Sequence, residues 1–327
     1  MTEFNFITAN DIHISDMNPR ARIDNYKEAI LNKLGQWKEA CVKHKADAGL
    51  CAGDLFNIKY PTKNSHRLNQ ELIKLFQQFP CPIYMIEGNH DLTADRLESL
   101  KEQPLGVLFA DKTLQQLRHT VLEKDGHKIS LVGIPYTHEL NLENIVIPEN
   151  KGYIAQICLL HIYASLKSGN LFKEKIYGYD EIGALSPDIF HIGHYHVDQG
   201  IHEENGKYFI NIGSMGRGTL SNENIEHQPK LGFIKINVDD AGKVTKVLKT
   251  IKLKIKPASE VFDLVKKEEE KKENEEIETF VEKLATETSK PAEENDVTVN
   301  MDMMKIAKDI KEKALYYIQE ARLAKQK

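Results

Sequence analysis

The sequence lacks the features that mark a membrane, secreted or redox protein. No apolar run approaches the roughly 20 residues that a membrane helix needs. The opening segment, MTEFNFITAND, has neither the basic nor the apolar part of a secretory signal. The four cysteines show no Cys-x-x-Cys spacing, which argues against a structural zinc or dithiol site. We therefore expect a cytosolic protein whose thiols are reduced and mostly buried.

Two further absences limit the reactions and partners. The chain has 44 Lys and Arg against 49 Asp and Glu, a formal net charge of −5. A protein that binds nucleic acid through bulk charge is basic, so DNA would have to be contacted through a local basic patch, bound metal ions or a partner. The phosphate loop GxxxxGK[ST] is also missing, so we expect no ATP hydrolysis by this chain.

The hydrophobic pattern divides the chain into three parts. Residues 1–255 alternate between short apolar strands and amphipathic helices, which predicts an α/β domain. Residues 256–294 include the charged stretch KKEEEKKENEEIE, which suits a solvated helix or a flexible linker. Residues 295–327 carry an apolar stripe at helical spacing, starting with Met303, Ala307 and Ile310. We predict a C-terminal helix there, which either covers the domain's own core or docks on a partner.

Several polar motifs stand where predicted apolar strands end. Asp11 and His13 are two positions apart, so an extended backbone would place their oxygen and nitrogen ligands on one face. Gly53 directly precedes Asp54, and a carboxylate with two oxygens can bridge two metal ions. Since ligands bind at the carboxyl ends of strands in α/β proteins, we expect these side chains to converge.

The remaining motifs supply amide and imidazole groups. The GNHD motif at residues 88–91 offers Asn89 as an oxygen ligand and His90 as a candidate acid, although the same letters also suit a polar turn. His161 ends the run ICLLH, where a lone histidine is more often a core or edge residue. His194 and His196 repeat the two-apart spacing. Imidazole, carboxylate and amide ligands together suit manganese, iron or zinc.

The order D-x-H, G-D, G-N-H-D, H, G-H-x-H, over roughly residues 5–215, resembles that of the calcineurin-like metallophosphoesterases. Within that superfamily the sequence is most similar to SbcD-type DNA repair nucleases, including subunits of phage recombination endonucleases. The similarity rests on GDLFN, GHYH, INIGSMGRG and the charged tail. It implies a four-layer α-β-β-α sandwich with a C-terminal helical extension. It also implies two divalent ions, manganese above all, with iron, zinc or magnesium as alternatives.

The resemblance also implies a role for each motif residue. Two ligand sets would share Asp54: Asp11, His13 and His196 for the first ion, and Asn89, His161 and His194 for the second. His90 would polarise the phosphate or donate a proton, and Asp91 would orient His90.

Two residues are candidates for contact with DNA or phosphate. The nuclease family often carries histidine three residues after the bridging aspartate, where this chain has Asn57. Asparagine can form a hydrogen bond but cannot transfer a proton. In GSMGRG, three glycines would bring backbone N–H groups near a phosphate, and Arg217 would add a charged fork. The alternative for that segment is a tight turn between strands.

The function that the resemblance implies is a metal-dependent DNA exo/endonuclease subunit of an SbcCD-like repair or recombination complex. Its partner would be an SbcC-like coiled-coil ABC-type ATPase, with a homodimer of this chain inside a heterotetramer, in a bacterial cell or a phage-infected host. A stand-alone phosphodiesterase or phosphatase for small phosphoesters would use the same site. A mainly structural partner that positions DNA is the third alternative, and the intact ligand set argues against it.

Overall fold

The computed structural model describes residues 1–138, 140–171, 174–265, 268 and 272. One compact unit runs from Met1 to Phe262, beyond the predicted boundary at residue 255. The added residues belong to it because the Ile23 N–H donates to the Val261 carbonyl at 3.0 Å, and Arg22 forms an antiparallel bridge with Phe262. The helix predicted at 295–327 lies outside the described residues, as does most of the charged stretch.

Within the described residues the chain forms short and medium strands and six α-helices. The strands are β1 (Thr2–Ala9), β2 (Ala48–Cys51), β3 (Ile83–Met85), β4 (Gln115–Gln116), β5 (His119–Lys124), β6 (His127–Ile134), β7 (Ala155–Ile162), β8 (Ala164–Ser165), β9 (Gly169–Leu171), β10 (Glu174–Gly178), β11 (Ile189–His194), β12 (Gly200–Glu204), β13 (Lys207–Asn211), β14 (Lys230–Val238) and β15 (Val244–Lys252). The helices are α1 (Tyr26–Lys43), α2 (His66–Phe76), α3 (Pro104–Ala110), α4 (Tyr179–Gly183), α5 (Asn222–Glu226) and α6 (Ala258–Val261).

The strands form two six-stranded sheets. The first has the order β15-β14-β1-β2-β3-β4, and the second has the order β12-β13-β11-β7-β6-β5. The neighbours β1, β2 and β3 are parallel, and so are β6, β7 and β11. Strand β7 is buried along its whole length, as expected for a parallel strand that is covered on both faces. A small third sheet, β8-β10-β9, follows β7.

The core lies in three layers between and outside the two sheets. Phe4 and Phe6 of the first sheet pack with Leu131 and Ile157 of the second. On the outer face of the first sheet, α1 and α2 pack around the fully buried Trp37. On the outer face of the second sheet, the five-residue α4 packs against β13. The predicted four-layer sandwich is confirmed, with a thin fourth layer.

The two longest helices begin where a polar side chain caps them. The Asn25 side chain accepts from the Glu28 N–H at 3.2 Å and caps the start of α1. Ser65 caps α2 in the same way, accepting from the Leu68 N–H at 3.0 Å. The apolar faces of both helices then pack into the same core beside the first sheet.

Two further features of the described structure are the hydropathy of its helices and the burial of its cysteines. Among the described residues, no helix has the length and hydropathy needed to cross a bilayer. The four cysteines are free thiols; Cys41, Cys51 and Cys158 are buried and Cys81 is half-buried. The expectation that most of the thiols are buried is confirmed, and their reduced state stays a prediction.

Candidate metal centre

The predicted ligands meet at one edge of the two sheets. Residues after β1, β2 and β3 in the first sheet contribute Asp11, His13, Asp54 and Asn89. The neighbouring strands β7 and β11 of the second sheet, with the loop that follows, contribute His161, His194 and His196. Because β1, β2 and β3 are parallel neighbours, as are β7 and β11, their carboxyl ends lie side by side.

The first group of candidate ligands joins the two sheets. The ligand atoms of Asp11, His13, Asp54 and His196 all lie within 4.8 Å of one another. His13 Nε2 is 2.9 Å from His196 Nε2 and 3.5 Å from Asp54 Oδ2. Two imidazole nitrogens and two carboxylates facing one point form a donor set for a divalent cation.

The second group shares Asp54 with the first. The ligand atoms of Asp54, His161 and His194 lie within 4.8 Å of one another. Asn89 Oδ1 lies beside them, 3.3 Å from His161 Nε2 and 3.0 Å from His194 Nδ1. The amide oxygen is therefore placed to complete this donor set.

Asp54 Oδ2 tests whether these residues fit two metal ions. This oxygen is fully buried and has no hydrogen-bond partner among the described residues. It lies 3.5 Å from His13 Nε2 in one group and 3.5 Å from His161 Nε2 in the other. A buried carboxylate oxygen without a partner is costly, and a position between two cations would satisfy it. The donor set fits a pair of divalent ions.

The backbone at the centre departs from the predicted extended form. Asp11, His13, Asp54 and His194 have positive φ angles of 47°, 52°, 55° and 87°, a region that residues other than glycine rarely adopt. The expectation that Asp11 and His13 share a face of an extended segment is therefore wrong, since β1 ends at Ala9. Hydrogen bonds between backbone groups hold this conformation, including one from the His13 N–H to the Asp54 carbonyl at 3.0 Å. Such strain is typical of functional sites.

Comparison with known proteins identifies the family of the chain. The sequence model of the calcineurin-like phosphoesterase family matches residues 4–198. The chain belongs to this family. Family membership implies a metal-dependent phosphoester hydrolase, and the matched range contains all seven candidate ligands.

Three similar proteins show how far the likeness to individual proteins extends. The chain is 33% identical over 84 residues to the SbcD component of the SbcCD nuclease of Staphylococcus epidermidis, a match that covers 24% of this chain and 22% of that protein. A dimetal phosphatase from Danio rerio is 11% identical, with a TM-score of 0.47, over 77% of this chain and 99% of the other. The NAD nucleotidase NadN of Haemophilus influenzae is 14% identical, with a TM-score of 0.45, over 77% of this chain and 56% of that one.

Further hydrogen bonds orient the rings of the phosphoesterase centre. His161 Nδ1 lies 2.6 Å from the Ala52 carbonyl, so Nδ1–H donates there and Nε2 faces the centre. His194 Nε2 lies 3.2 Å from Glu174 Oε2, which leaves Nδ1 facing Asn89. Outer partners of this kind fix ring orientation and raise ligand basicity. No sequence motif marked Glu174 on β10, so its contact with His194 was not predicted.

Asp54 and His13 have the charge states that metal ligands need, whereas His161 holds an extra proton. Burial acts to raise the pKa of Asp54, but the His161 and His13 imidazoles hold it well below its usual range. Burial lowers the pKa of His13 well below its usual range, so that ring is neutral. Burial also acts to lower the pKa of His161, but the Asp54 carboxylate raises it to about 9. A cation beside Asp54 would take over this charge from His161 and release its proton.

His90 stands at the wall of a cleft beside the two groups. The cleft has a volume of about 230 Å³, and His90, Asn89 and His196 are among its lining residues. The His90 backbone N–H donates to Asp54 Oδ1 at 2.8 Å, and the Nδ1 atom lies 2.8 Å from the Asn57 carbonyl oxygen. Asn57 therefore contacts His90 through its backbone, a contact that its side-chain type could not reveal.

Asp91 does not have the predicted role of orienting His90. Its carboxylate accepts from the backbone N–H groups of Phe56 and Gly88, both at 3.0 Å, and of Leu55 at 3.3 Å. These donors belong to the loops after β2 and β3, so Asp91 ties together the two loops that carry Asp54 and Asn89. The Asn57 carbonyl takes the predicted role, because it is the acceptor that faces the His90 ring.

Arg217 lies apart from the candidate ligands. Its side chain is nearly fully buried, and its Nη2 atom donates to the Lys256 carbonyl at 2.7 Å. The GSMGRG segment instead binds the backbone of a candidate ligand, since the Met215 N–H donates to the Asp11 carbonyl at 3.0 Å. The predicted role of Arg217 at this phosphate site is corrected accordingly: its guanidinium is held against the segment that follows β15.

Close packing of Gly88 against Asp54 leads to a testable prediction. A Cβ atom at Gly88 would overlap the Asp54 Oδ1 and backbone N atoms. We expect Gly88→Ala to displace the shared carboxylate and weaken metal binding by about 10- to 100-fold, the range that overpacking of roughly 1–3 kcal/mol produces. Titration of the purified variant with Mn²⁺ measures the change.

Gly35→Ala is the matched control for Gly88→Ala. Gly35 lies in α1, and its Cβ atom would meet nothing within 4 Å. This variant should keep its metal affinity. Equal affinities for Gly88→Ala and Gly35→Ala would show that contact with Gly88 does not position Asp54.

Proposed function

We propose that this phosphoesterase is a nuclease subunit that hydrolyses DNA phosphodiester bonds with two divalent ions, manganese first among them. The observation that carries the proposal is the position of Asp54 Oδ2, buried and unpartnered among the described residues, at 3.5 Å from a ring of each ligand group. The similarity to the SbcD component of the SbcCD nuclease over 84 residues supports DNA as the substrate.

The ligand roles in this proposal follow the two groups. One ion would be held by Asp11, His13 and His196 and the other by Asn89, His161 and His194, and Asp54 would contribute to both sets. When bound, the ions activate water and neutralise charge on the attacked phosphate. The fixed rings of His161 and His194 keep the ligands in place during the reaction, because Ala52 and Glu174 hold their outer nitrogens.

His90 is the proposed acid in this reaction. Its Nδ1–H donates to the Asn57 carbonyl, so Nε2 is left to face the cleft. From there it can donate a hydrogen bond to a phosphate oxygen or a proton to the leaving oxygen. The ring edge of His90 also packs on His13, with centroids 4.7 Å apart, which limits its rotation.

The space around the centre suits a substrate larger than a single phosphate. A second cleft of about 630 Å³ shares Tyr163 and His194 with the first. Its walls include Tyr136 and Tyr177, which offer aromatic surface beside the phosphate position. Groups on both sides of the scissile phosphate could therefore be accommodated, as a phosphodiester requires.

A partner protein completes the proposal. With a net charge of −5, this chain has no bulk attraction for DNA. We propose that an SbcC-like coiled-coil ATPase supplies much of the DNA contact, with two copies of this chain in a heterotetramer. The predicted helix at 295–327 remains the candidate docking segment.

Substrate preference tests the nuclease proposal against the small-phosphoester alternative. With Mn²⁺, we expect cleavage of linear duplex DNA and of bis-p-nitrophenyl phosphate, both abolished by EDTA, and little release from the monoester p-nitrophenyl phosphate. Asp54→Asn protein prepared in parallel controls for contaminating nuclease. Rapid hydrolysis of the monoester, together with no cleavage of the DNA, would favour a phosphatase instead.

A further inference from the structure

A separate, cationic pocket lies apart from the metal centre. It has a volume of about 380 Å³ between the start of α1 and the segment that follows β15. Its lining residues include none of the seven candidate metal ligands. Five basic side chains line it against two acidic ones: Arg22, Lys33, Arg217, Lys254 and Lys256 against Asp24 and Glu28. This local excess of positive charge contrasts with the chain's net charge of −5.

Arg22 already has its counter-charge. Its Nε and Nη2 atoms donate to the two Asp24 carboxylate oxygens at 2.7 and 2.9 Å. Its Nη1 atom donates to the Arg217 carbonyl at 2.7 Å. This pair fixes the pocket wall and uses the Asp24 carboxylate, so it leaves the other basic groups without that partner.

Arg217 retains an unused donor in the same pocket. Its side chain is only 3% exposed, and its Nε atom is buried without a hydrogen-bond partner among the described residues. The bond from Nη2 to the Lys256 carbonyl holds the guanidinium in place. A buried, fixed and unsatisfied guanidinium N–H is rare, because it loses its water without gaining an acceptor.

Lys33 is the second buried cation of the pocket. It is 4% exposed, and its Nζ atom donates to the Met215 carbonyl at 2.6 Å, although an ammonium has three N–H donors. Burial and the charges of Arg217 and Arg22 lower the pKa of Lys33 to about 7. The carboxylate that opposes this shift, Asp24, is already held by Arg22.

We propose that this pocket binds a small phosphate-bearing anion, either inorganic phosphate or a phosphomonoester. A phosphate carries up to two negative charges and several acceptor oxygens, which suits a fixed guanidinium and an ammonium that face one space. The exposed Lys254 and Lys256 stand at the pocket mouth and would attract the anion. The volume exceeds that of phosphate alone, so a group attached to the phosphate would also fit.

Phosphate titration of pocket variants tests this site in the full-length, metal-loaded protein. Phosphate bound at the metal centre should be equal in variants that keep the wild-type metal content, so differences among those variants report the pocket. Isothermal titration with inorganic phosphate should show, beyond any phosphate at the metal centre, one further binding equivalent in the wild type that is lost in Lys33→Met. The double variant Lys254→Gln/Lys256→Gln removes two charges at the mouth and should weaken the affinity of the pocket for phosphate about tenfold or more. A parallel titration with adenosine monophosphate compares the two sources of phosphate.

Lys38→Met is the matched control, because Lys38 lies on the same helix and its Nζ atom contacts Gln78 outside the pocket. It should bind phosphate like the wild type. Tighter binding of adenosine monophosphate than of phosphate would support a phosphomonoester ligand, and equal binding would support phosphate itself. The proposal is overturned if both pocket variants bind both anions with wild-type stoichiometry and affinity. Because both lysines at the mouth are exposed, that double variant remains informative even if Lys33→Met does not fold.

Discussion

Asp54→Asn is expected to retain neither metal ion after gel filtration and to lose phosphodiesterase activity by about 10³-fold or more. The reason is geometric: Asp54 is the carboxylate that belongs to both ligand groups, and its Oδ2 atom lies 3.5 Å from a histidine of each. An amide of the same shape has half the acceptor capacity and no charge, so each group loses an anionic ligand at once. Metal ions contribute several kcal/mol to such reactions, and each 1.4 kcal/mol corresponds to about a factor of ten in rate.

Metal analysis by mass spectrometry, with bis-p-nitrophenyl phosphate turnover, measures this loss. Thermal unfolding shows whether the variant is folded, and its Oδ1 atom can still accept from the His90 N–H. Asp111→Asn, an exposed aspartate whose carboxylate contacts Thr113, is the control and should keep both ions. Two equivalents of metal in Asp54→Asn would refute the shared-ligand assignment.

His90→Gln is expected to keep both metal ions but to lose activity by about 10²- to 10⁴-fold, the range for removal of a general acid. The His90 ring is not among the grouped metal ligands, and its backbone N–H, which binds Asp54 Oδ1, survives the substitution. Glutamine can still form a hydrogen bond but cannot transfer a proton. The expected pattern is therefore normal metal content, normal DNA binding and low turnover.

The exposed His66 at the start of α2 provides the control. His66→Gln should match the wild type in metal content and turnover. Rapid turnover by His90→Gln would remove the proposed acid role. Loss of metal from that variant would instead place His90 among the ligands.

Much of the site follows from the sequence because its residues stand at the ends of apolar strands. The runs around β1, β2, β3, β7 and β11 predict buried strands, and the polar residue after each is easy to recognise. Chain order then brings those strand ends to one edge. The short polar strands β8, β9 and β10 have no such pattern, so Glu174 could not be anticipated as a partner of His194.

Some of the predicted roles are wrong because contacts between distant loops decide them. The Asp91 carboxylate is adjacent to His90 in sequence but binds N–H groups 35 and 36 residues away, on Phe56 and Leu55. Glycine-rich GSMGRG suits a phosphate loop and a tight turn equally well, and only the Lys256 carbonyl decides where Arg217 lies. The extended interpretation of Asp11 and His13 failed because positive φ angles replace the extended backbone there. The roles of the seven ligands and of Asn57 stay predictions until the metal and activity measurements are made.

The division of the candidate ligands between two sheets has a consequence for how the molecule matures. The first group contains residues from both ends of the range 11–196, so neither half of the sandwich can assemble it alone. Contacts this distant in sequence form late, because the closure of long loops has to precede them. Residues well beyond His196 must therefore have emerged from the ribosome before the full donor set can form. Metal uptake at this centre would then report that folding is complete, and a nascent chain that stalls earlier would lack part of the donor set.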